Sequence, residues 1–451
     1  MNQFKTRIVS ILFACSIITV SMLFYFIIFF DDPRKDFAQS ANSAKTMVIL
    51  GFSEVRKENS TLKQSFEKKI SAKLSSLDEI PVSDELKNFI LELGKDLKDS
   101  KNYESIDFRK IWLSAKKWIK ARQIVPASPT GLSSVIKALE KAEIIKSDII
   151  RKGTQLKLLL TLKNDQKVIF KPKRYDRSYI TDGIYSGADR HNGEIIGFHL
   201  SRILKMRYAP IVSSRRVHVT KEIKSVATSS LLKTFVQKQT SNNLTLECFY
   251  GHCYYCNENE LVCPEEDGFL EGAIILMLPK QFHLQKLRHP WQRTYKETLK
   301  AQWEIDSQYC FTVLKSNPLQ PRVLDFIDTS IFDFLIGNAD RHHYEIFKTI
   351  PNSALLLIDN GKSFGDPHHD ELTILFPLLQ CCVIRNSTYQ HLKALESYKI
   401  SRIIEDLLSD DPLWPLLTIE HLEALDRRLR LIIASVEVCF DSHLKENVLK
   451  K

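Results

Sequence analysis

The stretch Phe332-Asp-Phe-Leu-Ile-Gly-Asn-Ala-Asp-Arg-His-His-Tyr-Glu345, with Leu355-Leu-Leu-Ile-Asp-Asn-Gly-Lys-Ser-Phe-Gly365 after it, decides how the rest of the chain is read. Its first part is an apolar helical run that gives way to a polar loop at Asp340. Its second part, Leu355 to Ile358, reads as a buried strand that ends at Asp359 before an Asn-Gly turn. Two aspartates are thus displayed nineteen residues apart, one just past a helix and one at a strand end. Incidental capping or turn aspartates are the bland alternative.

Phosphoryl transfer uses such a pair: one carboxylate takes the proton of the attacking hydroxyl, and the other holds the metal that bridges the nucleotide phosphates. Protein kinases write H-R-D, an Asn five residues later, then D-F-G. Here the order is D-R-H-H, the fifth residue after Asp340 is Glu345, and the second motif is D-N-G. Upstream, Thr154 to Leu162 and Val168 to Lys171 predict a hairpin around the polar turn Lys163-Asn-Asp-Gln-Lys167. Lys171 stands where kinases keep the strand lysine that neutralises the α and β phosphates, although a snorkelling lysine would look the same. A glycine-rich loop is nearly absent, with only Gly153 ahead of the first strand, so phosphate contacts fall to side chains such as Gln155 and Lys157. Asp189 to Leu204 predicts an amphipathic helix that brings Asp189 or Glu194 to the nucleotide, against capping for the first and a solvated face for the second. Gly272 to Pro279 predicts a central strand leading into an adenine hinge. Helices are expected at Glu371–Leu379, His391–Leu407 and Ile419–Phe440. Strands early and helices late give an α+β, two-lobed architecture.

The whole chain of 451 residues, 44% hydrophobic, has the composition of a globular protein. Ile8 to Phe30 carries no charge, is long enough to cross a bilayer, and ends in bulky residues before Asp31, so it predicts an uncleaved signal anchor. Residues 1–30 are accordingly expected as cytoplasmic tip and span, 31–124 as stem and helical lead, 125–279 as the nucleotide lobe and 280–451 as the catalytic lobe. Beyond Cys15 in the span lie eight cysteines, an even number that suits disulfides; four of them crowd between Cys248 and Cys263, where zinc is the rival. A lumen behind an anchor favours disulfides, as do the sequons at Asn59, Asn243 and Asn386. The net charge of +10 is mild and favours acidic partners such as nucleotides or glycosaminoglycan precursors, or merely a solvated basic surface. Nucleic acid is not expected behind a membrane.

GTQLK, FKPKRY, DRHNGE, CFYGHCYYC, RHPWQRTY, FDFLIGNADRHHYE, IDNGKSFG, PLLQCCVIR and HLEALDRRLR together resemble the secretory-pathway atypical kinases that include the Golgi casein kinase and the glycosaminoglycan xylosylkinase. The resemblance spans Gly153 to Cys439; CFYGHCYYC, GNAD and KSFG lie nearer the xylosylkinase branch. It implies an atypical protein-kinase-like fold in a single-pass type II Golgi membrane protein with its catalytic part in the lumen. It implies transfer of the ATP γ-phosphate, with manganese or magnesium, to the 2-hydroxyl of the xylose that links glycosaminoglycans to proteoglycan core proteins. A secreted-protein serine kinase, or a pseudokinase activator, is the alternative, and pairing with itself or a relative is left open. By motif, Asp340 resembles the general base, Asp359 and Asp189 the metal carboxylates, and Lys171, Gln155, Lys157 and Glu345 nucleotide-site residues. Ile275, Leu276, Met277 and Leu278 match the hinge. The disulfides implied are Cys248 with Cys263, Cys253 with Cys256, Cys310 with Cys381, and Cys382 with Cys439. His289, Trp291, Tyr295 and Trp303 are candidate sugar contacts, with core aromatics as the alternative.

Overall fold

The computed structural model describes residues 49–98, 107–151, 153–184, 188–296 and 298–451, of which 49–61 by backbone alone. The expected anchor at Ile8–Phe30 lies outside the described residues; among those described, no helix is long and apolar enough to cross a membrane.

Three helices lead in: α1 (Ile49–Leu74), α2 (Asp84–Lys98) and α3 (Phe108–Lys117). From Thr61 the chain forms one unit. The stretch expected as a stem joins it, because Ile70, Leu86, Ile90 and Leu93 enter the core and Phe66 meets Phe376 edge-on at 5.8 Å. Asp107 caps α3 by accepting the Lys110 amide. After α4 (Leu132–Lys141) come β1 (Ile144–Ile149), β2 (Leu158–Leu162), β3 (Gln166–Pro172), α5 (His191–Ile203), β4 (Val212–His218), the ribbon β5 (Phe235–Gln239) and β6 (Thr245–Phe249), and β7 (Phe269–Leu276).

The main sheet is antiparallel throughout, in the order β1-β2-β3-β7-β4. Strand alternation sends Leu158, Leu160, Leu162, Val168 and Phe170 inward, and α5 packs on β4 and β7 with all its residues buried. The hairpin starts later than the sequence suggests, because Thr154 to Lys157 follow the left-handed Gly153 as bends and coil and do not pair.

The rest is mainly helical: α6 (Val323–Ile336), α7 (Phe376–Cys381), α8 (Asn386–Tyr398), α9 (Ile400–Leu408) and α10 (Ile419–Ser442), with the ribbon of β8 (Leu284–Arg288) and β9 (His343–Phe347). Gly337 ends α6 at φ 70, a conformation in which a Cβ would also lie 2.9 Å from Arg428 Nη1. Two expectations are corrected. Leu355–Ile358 forms the isolated bridge Glu345–Leu356 and no strand, and the Leu357 amide turns instead to the Tyr208 carbonyl at 3.3 Å. The single helix expected at His391–Leu407 is two, broken at Lys399 with φ 73; the step from Leu395 to Ile400 is too long for one apolar stripe.

Four disulfides form: Cys248–Cys263, Cys253–Cys256, Cys310–Cys381 and Cys382–Cys439. The crowded cysteine cluster is therefore bonded within itself, and α7 is pinned by its end to Cys310 on one side and to α10 on the other. Asn243 and Asn386 are exposed, and the backbone of Asn59 is in α1.

Candidate active site

Lys171 is the centre of the site. Near the end of β3, with Ala273 of β7 as its partner in the sheet, it projects among three carboxylates. Its Nζ lies 2.6 Å from Glu194 Oε1, 2.6 Å from Asp359 Oδ1 and 3.3 Å from Asp189 Oδ2. Burial alone would depress this lysine, but Asp189, Asp359 and Glu194 outweigh it and hold Lys171 firmly charged. Lys171 in turn holds Asp359 far below the usual carboxylate range, with help from Lys157 and Arg341. Asp359 is the open member of the group, with 71% of its side chain exposed, and it sits at φ 62, a backbone position uncommon outside glycine.

Glu194 is enclosed in the first turn of α5, where its Oε1 also accepts the Asn360 amide at 3.0 Å. Asp189 lies just before that helix. The capping alternative for it fails: Arg190 holds the cap site without a side-chain bond. Burial pushes the Asp189 carboxyl up, and its Oδ1 is enclosed with no hydrogen-bond donor. Gly361 lies so close that a Cβ there would fall 1.5 Å from that oxygen. An enclosed, donorless carboxylate oxygen beside an excess of negative charge fits a cation. Among the described residues no trio of His, Cys, Asp or Glu side chains is gathered for a metal by the protein alone. Asp189 and Asp359 are the carboxylates that would hold magnesium or manganese here.

Asp340 follows the Gly337 turn, and its amide is held by Asn338 Oδ1 at 3.0 Å. Its carboxylate takes the Tyr295 hydroxyl on Oδ1, with His342 Nδ1 3.4 Å from Oδ1 and Lys362 Nζ 3.6 Å from Oδ2. Burial would raise this carboxyl, yet the bonds from His342 and Tyr295 and the Lys362 charge keep it below the ordinary aspartate value. A cavity of about 300 Å³ opens beside it, lined by Asp340, Ala339, Lys362, Arg190 and Thr181 among others.

Arg341 joins the two aspartate loops, and sequence reading missed it. The buried Asp333 of α6 receives it through Nε at 2.9 Å and Nη2 at 2.7 Å, while Nη2 also reaches Asn360 Oδ1 at 2.8 Å and Nη1 the Ile358 carbonyl. The bases of the Asp340 and Asp359 loops are thereby clamped by one guanidinium fork. The eight-residue step between Asp333 and Arg341 crosses a helix end, so no periodicity announced the pair.

Other expected residues fall as follows. Gln155 Oε1 is 3.5 Å from Arg174, and Lys157 is near enough to Asp359 and Glu345 to act on both electrostatically. Glu345 is in β9 opposite Lys286, and burial raises its carboxyl. Ile275 and Leu276 close β7, the Met277 amide donates to Lys167 O at 3.3 Å, and Leu276, Met277 and Leu278 line a cavity of about 420 Å³ with Trp112. Of the four aromatic candidates, His289, Trp291 and Trp303 are only 6%, 6% and 2% exposed and belong to the core, whereas Tyr295 is 44% exposed.

The family described as Golgi casein kinase, C-terminal, Fam20, matches residues 110–448. A Danio rerio protein named glycosaminoglycan xylosylkinase is 49% identical over 342 residues, 75% of this chain and 82% of that protein. The solved structure of hydra Fam20 with sugar superposes with a TM-score of 0.72 at 44% identity, covering 75% of this chain and 98% of that one. The Golgi casein kinase with Mn and ADP bound gives a TM-score of 0.71 at 30% identity, covering 83% and 96%.

Proposed function

This chain belongs to the Fam20 family, and on that premise we propose that it is an ATP-dependent kinase. Its acceptor on this reading is the 2-hydroxyl of the xylose that joins glycosaminoglycan chains to proteoglycan core proteins. The observation that carries the chemistry is Lys171 held at 2.6 Å by both Glu194 and Asp359, with the Asp340 loop clamped alongside by Arg341. The kinship that favours sugar over peptide is the 49% identity to a glycosaminoglycan xylosylkinase.

Lys171 and Lys157 neutralise phosphate charge, and Asp359 and Asp189 hold manganese or magnesium, which when bound draws charge from the transferring phosphoryl group. Asp340 takes the proton of the acceptor hydroxyl as that oxygen bonds to the γ-phosphorus and the bond to ADP breaks. Ile275 to Leu278 serve as hinge, with residues 125–279 as nucleotide lobe and 280–451 as catalytic lobe. The four disulfides and the exposed sequons at Asn243 and Asn386 support a luminal Golgi location behind an anchor at Ile8–Phe30.

The test is phosphate transfer by the purified protein from ATP with manganese to a galactosyl-xyloside, beside an acidic serine peptide. Transfer to the xyloside, lost in Asp359→Ala, is expected. Transfer to the peptide alone would replace the sugar reading with the serine kinase one, and an Asp359→Ala protein as active as wild type would sink both.

A further inference from the structure

Asp340 presents an already occupied carboxylate. The Tyr295 hydroxyl donates to its Oδ1 and lies 2.8 Å from His342 Nδ1, whose ring stands edge-on to the tyrosine at 5.6 Å. His342 is itself fixed, with Nδ1 2.8 Å from the Asp340 carbonyl oxygen. Lys362 faces the other carboxylate oxygen. Tyr295 alone among the four aromatic candidates is exposed, and it stands in the left-handed region at φ 58, a strained position for a bulky residue.

A phenol and an acceptor alcohol offer a base the same thing, one O–H donor on one oxygen. The atom that must receive the acceptor proton is filled by a chemical look-alike. We propose that the Tyr295 hydroxyl is the resting occupant of the acceptor's place on Asp340, displaced when a substrate alcohol arrives. Until then it denies that place to water. This rests on the reading of Asp340 as the general base and adds to it a device against wasted ATP. Without Tyr295, a water oxygen bonds to the γ-phosphorus, its proton passes to Asp340, the bond to the β-phosphate oxygen breaks, and ADP and inorganic phosphate leave. With Tyr295 in place, its hydroxyl holds the position on Oδ1 that an attacking water would need. Tyr295 acts through Asp340 and is a positioning residue.

The experiment uses the full chain with ATP and manganese and compares wild type with Tyr295→Phe and Tyr295→Leu, both lacking the hydroxyl. ADP release without acceptor is expected to rise roughly tenfold, the scale of one hydrogen bond to a charged group. The acid limb of the hydrolysis profile moves to higher pH, because the bond lost favoured ionised Asp340. Unchanged hydrolysis in both variants overturns the proposal, as does phosphate found on Tyr295 itself, which would make it an acceptor. Asp340→Asn separates the two readings: if it still transfers phosphate, the base assignment fails; if it is inactive while Tyr295→Phe hydrolyses no faster, only this inference fails.

Discussion

Replacing Gly361 by alanine tests the metal corner with one carbon. The added Cβ would lie 1.5 Å from Asp189 Oδ1 and 2.5 Å from its Cγ, where real contacts essentially never fall below 3.0 Å. One side must therefore retreat by at least about 1.5 Å. Neither moves freely: the Arg190 amide donates to the Gly361 carbonyl at 2.8 Å, and Asp189 is 7% exposed with Lys171 3.3 Å away. The retreat thus displaces Asp189, the proposed metal carboxylate, and disturbs the Lys171 group. A misplacement of about 1 Å typically costs about a hundredfold in rate, so kcat/KM for xyloside phosphorylation should fall by about that factor or more. A manganese titration at fixed ATP should show half-saturation at higher metal. A Gly361→Ala protein within about threefold of wild type, with unchanged manganese dependence, would refute the reasoning that Asp189 must stand where it does.

Gly94 gives the opposite result for the same change: it is inside α2, its added Cβ meets only Leu407 Cδ2 at 3.8 Å, and Gly94→Ala should add about 0.5–1 kcal/mol of stability, read from urea midpoints. Lys171→Met strands Asp189, Glu194 and Asp359 without their shared ammonium and should lower transfer at least about a hundredfold; a kcat close to wild type would exclude Lys171 from phosphate binding. Burial holds His421 near 4 and His289 and His191 near 3, all below the ordinary 6.5. Above pH 6.5 these rings are neutral folded or unfolded and cost nothing; below it the unfolded chain binds protons that the fold excludes, so stability falls as the pH drops toward 4. Each contributes about 1.4 kcal/mol per pH unit, so a urea midpoint unchanged between pH 7 and pH 5 would count against these neutral histidines.

Periodic elements were legible because they obey local rules. The apolar run of α6 and the glycine that stops it, and the β3 run that carries Lys171, are readable from spacing; α5 is found as a helix, but its expected polar face is buried too. What escaped depends on neighbours distant in sequence. Leu355–Ile358 has strand composition, yet beyond the one bridge its Leu357 amide goes to the Tyr208 carbonyl, a partner far away in sequence. His289, Trp291 and Trp303 look like a sugar platform in sequence, yet Trp291 Nε1 finds Gln380 and Trp303 Nε1 finds the Gln292 carbonyl, which lets both rings be buried. Arg341 was hidden for the same reason: its value lies in joining Asp333 to Asn360 and Ile358, two segments that meet only in the fold.

Asp189 and Glu194 are interchangeable candidates in sequence, and the structure separates them by what their oxygens already hold. Glu194 is committed: one oxygen accepts both the Lys171 ammonium and the Asn360 amide, tying β3, α5 and the Asp359 loop at a single point. Removing it would act through the position of Lys171. Asp189 is uncommitted: one oxygen is at ion-pair distance from Lys171 and the other has no donor. Burial first, then the Asp359 and Glu194 charges, push the Asp189 carboxyl up against the pull of Lys171. Asp189 and Asp359 would hold a divalent cation here on the proposed function, and its charge would meet both conditions. On the proposed function, the nucleotide would complete this corner, with Glu194 fixing the lysine and Asp189 left to hold the metal.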